Sequence, residues 1–206
     1  MELDSFLTNW SNLHGGAQIK GFVRGWLNIS FGIVKPLAKL RVNPNFLTFL
    51  GLFFAILVWR FPTSWTAFAF LLISLIFDGI DGSLAIIRGI TSKKGAVIDS
   101  VVDRLSEVFW ALALYELGAN GLIIFITLLA AYIQEYLRAR AAGLGHQTIG
   151  IVTIGERPVR AILISLALIG WQLNSNCVTV ITCIWLLVQV IALGQITRAF
   201  SKDLAS

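Results

Sequence analysis

The chemistry legible in this sequence sits on four aspartates. In the stretch FDGIDGSLAIIRGITSKKGAVIDSVVDRLSE, which begins at Phe77, Asp78 and Asp81 are followed by Asp99 and Asp103. On a helix Asp78, Asp81, Gly82 and Ala85 fall at i, i+3, i+4 and i+7, which is one face; Gly95, Asp99 and Asp103 repeat at i+4 on the next helix. The two acidic faces meet if these consecutive helices pack antiparallel. At the centre of a bilayer each carboxylate would cost about 2.5–3.5 kcal/mol, so the set requires a neutralising partner. Four carboxylates supply about −4 formal charges on hard oxygen ligands, which suits two ions, Mg²⁺ or Mn²⁺, sharing the cluster. Gly82, Ala85 and Gly95 lack bulk on the same faces and leave room for a ligand to approach the backbone. The plainer alternative pairs these acids with Lys93, Lys94 and Arg104 at helix ends, but a solvated charge run has no reason to keep every acid in two coherent stripes.

The elements that must hold these faces belong in a membrane. The 206 residues are 57% hydrophobic and 13% charged, with a mean hydropathy of +0.81, whereas about a quarter of the residues in soluble domains are charged. The apolar residues come in separated runs, not in the short alternation of a β-barrel. The expected architecture is an all-α integral membrane protein with six transmembrane helices, preceded by an interfacial amphipathic helix over Ala17–Arg41 that is interrupted near Pro36. Residues 1–41 then form a juxtamembrane segment and 42–206 the membrane domain. The spans run from about Phe46 to Phe61, Ser64 to Arg88, Gly95 to Leu117, Leu122 to Arg140, Arg157 to Trp171 and Cys177 to Phe200, with a Gly-rich loop holding Gly143, Gly145 and Gly150 between the fourth and fifth. Several reach the roughly 20 residues that cross a bilayer only by including charged positions near one end.

Six spans put both termini and the 2–3 and 4–5 loops on one side. Apart from Arg60, the Lys and Arg residues gather there, which makes that side cytoplasmic and the site cytoplasm-facing, at the cell (plasma) membrane. This orientation also accounts for the net charge of +5; no basic stripe interleaved with aromatics suggests nucleic acid. The opening MELDSFLTNWSNL is acidic and polar, without the pattern of a cleavable signal, and is expected to stay on the chain. Cys177 and Cys183 offer neither a disulfide framework nor zinc-ligand spacing. His14 and His146 are expected at solvent or at the membrane interface. Trp26, Trp59, Trp65 and Trp171 suit an interfacial belt.

DGIDGSLA, with Gly95, Asp99 and Asp103 at matching intervals, resembles the CDP-alcohol phosphotransferase signature D-x2-D-G-x2-A-R-x8-G-x3-D-x3-D, and the resemblance extends over roughly residues 40–200. One position departs: Ile86 stands where the family usually has Arg. The nearest arginine, Arg88, is two residues on, a rotation of about 200° around a helix, so it substitutes at the donor phosphates only if the helix loosens there. The resemblance implies transfer of a phosphatidyl group from CDP-diacylglycerol to an alcohol, with release of CMP. By similarity Asp78, Asp81, Asp99 and Asp103 are metal ligands and Asp103 is the general base. Gly82, Ala85 and Gly95 would line the nucleotide cleft with Asp81, and Pro44, Asn45 and Thr48 look like the family's segment beside it. A homodimer among membrane lipids is the family expectation.

A second cluster is basic. Arg138 and Arg140 close the fourth span, Arg157 and Arg160 open the fifth in GERPVR, and Arg198 ends the sixth. Positive-inside anchoring would favour Lys and Arg equally, whereas this subset contains only Arg, as bidentate phosphate recognition prefers. YLRARAAG and GERPVRAI resemble the actinobacterial phosphatidylinositol-phosphate synthase branch of the family, in which basic residues matching Arg138, Arg160 and Arg198 hold the inositol phosphate. The acceptor is therefore expected to be a phosphorylated polyol, inositol phosphate ahead of glycerol phosphate. Two readings of other kinds compete. A cation transporter would distribute its acids through the membrane depth, and an inactive lipid- or nucleotide-binding relative would rest wholly on Ile86.

Overall fold

The computed structural model of the chain describes residues 1–145 and 152–203, and every regular element among them is a helix. In order these are α1 (Leu3–Leu13), α2 (Gly21–Lys39), α3 (Pro44–Arg60), α4 (Thr66–Arg88), α5 (Lys93–Glu116), α6 (Gly121–Gly143), α7 (Arg157–Leu173) and α8 (Asn176–Asp203). His146 and Gly150 lie outside the described residues. The helices contribute to two compact units, one of residues Met1–Ala55 and Leu72–Ser106, the other of Ile56–Leu71 and Glu107–Ser206.

In the first unit, one feature was not foreseen and one departs from expectation. The polar opening segment is a helix, α1, because Leu3, Phe6, Leu7 and Trp10 recur at i, i+3, i+4 and i+7 and bury one side. Pro36 does not interrupt α2. It lies one turn from the helix end, where its missing N–H removes a single backbone bond and the chain leaves the helix at Lys39 anyway. Arg41, with φ of 55°, then turns the chain through 119° into α3. That helix starts where expected: Pro44 occupies its first position, and the Asn45 N–H donates to Asn43 Oδ1 at 3.0 Å.

Packing fixes the register of α4. The Ser74 hydroxyl donates to the Gly51 carbonyl at 2.7 Å, and a Cβ on Gly51 would come within 3.3 Å of the Ser74 carbonyl oxygen, so α3 and α4 meet at backbone distance. Val34, Leu47, Ile80 and Leu84 form one buried cluster here, and Phe6, Leu27 and Ile86 a second.

In the second unit α8 packs against both α6 and α7. Ala141, Ile196 and Phe200 form a buried cluster at one end of the α6/α8 contact. The glycines allow close approach: a Cβ on Gly155 would sit 2.6 Å from Ala192 Cβ, and one on Gly170 would sit 2.8 Å from Cys177 Cβ.

The chain is an all-α membrane protein. Among the described helices α4, α6 and α8 are each long and apolar enough to cross a bilayer, and α2 with α3 is so as a bent pair. The 17 residues of α3 and of α7 rise about 26 Å each, slightly under a hydrocarbon core of about 30 Å. Phe53, Phe125, Leu166 and Leu187 are each more than half exposed, as side chains facing acyl chains would be.

Candidate active site

The acidic stripes meet. Asp78 on α4 and Asp99 and Asp103 on α5 each offer a carboxylate oxygen, and these atoms all lie within 4.8 Å of one another. The i+4 step from Asp99 to Asp103 puts both on one side of α5, and the Ser92 hydroxyl accepts the Gly95 N–H at 3.0 Å to set that helix's start. Arg104 Nη2 approaches Asp103 Oδ2 at 3.7 Å.

Asp81 behaves differently from the other three. It is buried, one of its oxygens accepts from the Thr48 hydroxyl, and the other accepts the Gly82 N–H at 2.5 Å. Thr48 is thus placed to orient a carboxylate on the neighbouring helix.

A cavity of about 840 Å³ opens over this cluster. Asp78, Asp81 and Asp99 line it, together with Pro44, Asn45, Thr48, Gly82, Ala85 and Gly95, so the structure gathers the residues expected at the nucleotide cleft. A Cβ on Gly82 would meet nothing within 4 Å, which leaves that backbone open to a ligand. Lys93 lines the same space, and the acids outnumber it.

Arg88 is the exception. Its Nη1 donates to the Val42 carbonyl at 2.7 Å, and the side chain lines a separate groove with Lys35, Lys39 and Arg41. The helix stays regular through Ile86, so the 200° rotation carries Arg88 away from the cavity, and the expectation that it contacts the donor is corrected. The sequence reading also missed a whole wall of the cavity, formed by Trp10, Leu13 and His14 at the end of α1 and by Phe22, Val23 and Trp26 on α2. The signal was the helical spacing of apolar residues in the first 13 positions.

The arginines belong to the second unit and divide into two groups. Arg138 reaches both Glu156 oxygens, with Nη1 at 2.9 Å from Oε2 and Nη2 on Oε1, and lies 3.6 Å from Glu135. Arg160 is fully buried, with Nη2 at 3.1 Å from both Glu107 and Glu135. Arg157 stands 3.8 Å from Glu107, with its guanidinium 5.5 Å from the Trp110 ring centroid. Arg140 and Arg198 are exposed. Glu107, Glu135 and Glu156 were not singled out from sequence, since which glutamate meets which arginine depends on contacts between distant segments.

Burial pushes the Glu156 carboxyl up, but hydrogen bonds from Arg138 and Thr153 outweigh it and hold the group below its ordinary range. The network continues inward: Thr153 accepts from Gln134 at 3.0 Å, and Gln134 accepts from Gln189 at 2.6 Å. Arg160 Nε and Nη1 and Gln189 Oε1 are buried here without a hydrogen-bond partner.

Comparison with known proteins bears on the site. A model of the CDP-alcohol phosphatidyltransferase family matches residues 41–196. The archaetidylinositol phosphate synthase of Pyrococcus horikoshii is 36% identical over 143 residues, covering 65% of this chain and 74% of that protein. The phosphatidylinositol phosphate synthase of Corynebacterium glutamicum is 32% identical over 157 residues, covering 67% of this chain and 70% of that protein. Among solved structures, the Mycobacterium tuberculosis phosphatidylinositol phosphate synthase with CDP-DAG bound superposes with a TM-score of 0.69 at 22% identity, covering 83% of this chain and 92% of that one, which establishes a shared fold. The same enzyme in complex with manganese and citrate gives a TM-score of 0.68 at 21% identity, over 82% of this chain and 87% of that one.

Proposed function

This chain belongs to the CDP-alcohol phosphatidyltransferase family, and we propose that it transfers the phosphatidyl group of CDP-diacylglycerol to inositol phosphate with release of CMP. The observation that carries the reading is the convergence of Asp78, Asp99 and Asp103 within 4.8 Å beside a cavity large enough for a nucleotide. The relatives from Pyrococcus horikoshii and Corynebacterium glutamicum, one named for an archaetidyl and one for a phosphatidyl product, share inositol phosphate in their names, and this supports the acceptor over glycerol phosphate.

The donor set fits a divalent cation, since clustered carboxylates are the ligands that Mg²⁺ and Mn²⁺ prefer. Asp78, Asp81, Asp99 and Asp103 would hold two ions, which when bound neutralise charge on the diphosphate oxygens. Asp103 acts as general base. It takes the proton of the acceptor hydroxyl as that oxygen bonds to the lipid-bearing phosphorus, and the bond from this phosphorus to the oxygen bridging to CMP breaks. Thr48 holds Asp81 in place. Gly82, without a side chain, lets the diphosphate come close to the backbone.

For the acceptor's own phosphate the assigned groups are Arg138, Arg140, Arg157, Arg160 and Arg198. Glutamates hold the guanidinium groups of Arg138, Arg157 and Arg160 in place, and the exposed Arg140 and Arg198 are open to bidentate contact. The excess of Lys and Arg at shared helix ends supports six crossings with the site facing the cytoplasm. A homodimer remains the expected assembly.

The test is purified protein supplied with CDP-diacylglycerol, inositol phosphate and Mg²⁺. CMP release that requires all three is expected. Release with glycerol phosphate alone would move the acceptor assignment, and no release with any phosphorylated polyol would remove the transferase reading.

A further inference from the structure

Ile86 occupies the position where the family signature carries arginine, and the structure shows what stands there instead of a cation. Its side chain is 5% exposed and packs with Phe6 of α1 and Leu27 of α2, which are 0% and 2% exposed. This contact joins α4, the helix of Asp78 and Asp81, to the N-terminal helix. Ile86 also lines the cavity that holds Asp78, Asp81 and Asp99, and an arginine in its place would lose the apolar contacts with Phe6 and Leu27.

The docked α1 delivers an aromatic pair to the rim of the cavity. Trp10 and His14 stack with ring centroids 3.9 Å apart and planes 18° from parallel. His14 Nδ1 donates to the Trp10 carbonyl oxygen at 2.7 Å, which fixes the ring. The chain then reverses through Gly15 and Gly16, at φ of 66° and 79°, and the Gly16 N–H donates to the Ser11 carbonyl at 2.8 Å. That turn needs a left-handed backbone, which glycine adopts without strain. Both rings line the cavity that holds Asp78, Asp81 and Asp99. Trp26 lines it too, but its indole lies against the α4 backbone, where a Cβ on Gly79 would come within 2.5 Å of it. The Trp10–His14 pair therefore keeps a ring face available: His14 is exposed, and one side of it is covered by Trp10.

Resting on the donor assigned above, we propose that the Trp10–His14 stack is the platform for the cytosine ring of CDP-diacylglycerol, and that Ile86 is a positioning residue that holds α1 against the donor site. Once the diphosphate is at the aspartates, the base must lie elsewhere in the same cavity, and an aromatic face is the surface that takes a base without regard to its edge pattern. The departure from the signature is then an exchange: an apolar anchor for a wall of the donor site replaces a cation at the donor phosphates.

The experiment measures CMP binding to the full chain in detergent micelles with Mn²⁺ present, and Mn²⁺ binding alongside it. His14→Ala and Trp10→Ala are each expected to weaken CMP binding about five- to tenfold, in the range of a lost base–aromatic stack, with Mn²⁺ affinity unchanged. His14→Phe should restore CMP affinity. Ile86→Arg should weaken CMP binding as Trp10→Ala does, and Ile86→Leu should retain it. CMP affinity indifferent to His14→Ala and Trp10→Ala would overturn the platform, and tighter CMP binding by Ile86→Arg would overturn the positioning role. Both results leave the transferase reading standing, which falls only if the unaltered chain releases no CMP from CDP-diacylglycerol.

Discussion

Charge is handled in opposite ways in the two units. Around Glu107, Glu135 and Glu156 every carboxylate meets an arginine, with contacts from Arg160 at 3.1 Å and a fully buried partner in Glu107. Around Asp78, Asp99 and Asp103 the carboxylates meet one another, with Arg104 Nη2 at 3.7 Å from Asp103 Oδ2, and the adjoining cavity is lined by aspartates in excess of Lys93. Like charges held together cost stability unless a cation joins them. The first arrangement joins opposite charges, with Arg160 Nη2 between two glutamates. The second gathers like charges beside a cavity, an arrangement that a divalent cation would stabilise.

The comparison can be broken in several ways. Asp103→Asn should have the largest effect, lowering CMP release by a factor of about a thousand or more while donor binding persists; unchanged turnover would remove the base. Next, Glu107→Ala should destabilise the protein by about 1–3 kcal/mol by removing Arg160's fully buried partner and leaving it Glu135 alone, measured by denaturant unfolding in detergent. Asp78→Asn in metal-free buffer should cost less than that, since it relieves repulsion within the aspartate cluster. An equal loss for both would make the two clusters alike.

Smaller effects sharpen the contrast. Arg198, exposed on α8, should on replacement by Ala raise the apparent KM for inositol phosphate several-fold and leave that for CDP-diacylglycerol in place; equal changes would count against a role in acceptor binding. Because Glu156 is held below its ordinary value near 4.5, its contribution to stability is fully present above that pH and is lost as pH falls through its depressed value. Glu156→Gln should flatten that part of the acid-unfolding profile, and an unaltered profile would contradict the pairing with Arg138.

The acidic site was readable from the sequence because helix periodicity alone sets the faces of Asp78, Asp81, Asp99 and Asp103, and the four-residue connection from α4 to α5 keeps the two faces near each other. The start of α3 at Pro44 was readable for the same local reason. What escaped were features decided by distant contacts. Nothing near Arg160 in sequence names Glu107 or Glu135 as its partners. His14, expected at solvent or at the membrane interface, stands at the cavity rim because α1 folds back onto Leu27 and Ile86, and the partner of Arg88 is a carbonyl 46 residues away, that of Val42. Length and apolarity mark α4, α6 and α8 as crossings without help, whereas α5 carries the charges of the site itself.

Direct titration of Mn²⁺ into the purified, metal-free chain and into its Asp99→Asn variant bears most closely on the acidic cluster. Saturable binding by the unaltered chain that Asp99→Asn weakens at least tenfold is the predicted result. Equal binding by both, or none by either, would contradict a divalent-cation site at Asp78, Asp99 and Asp103.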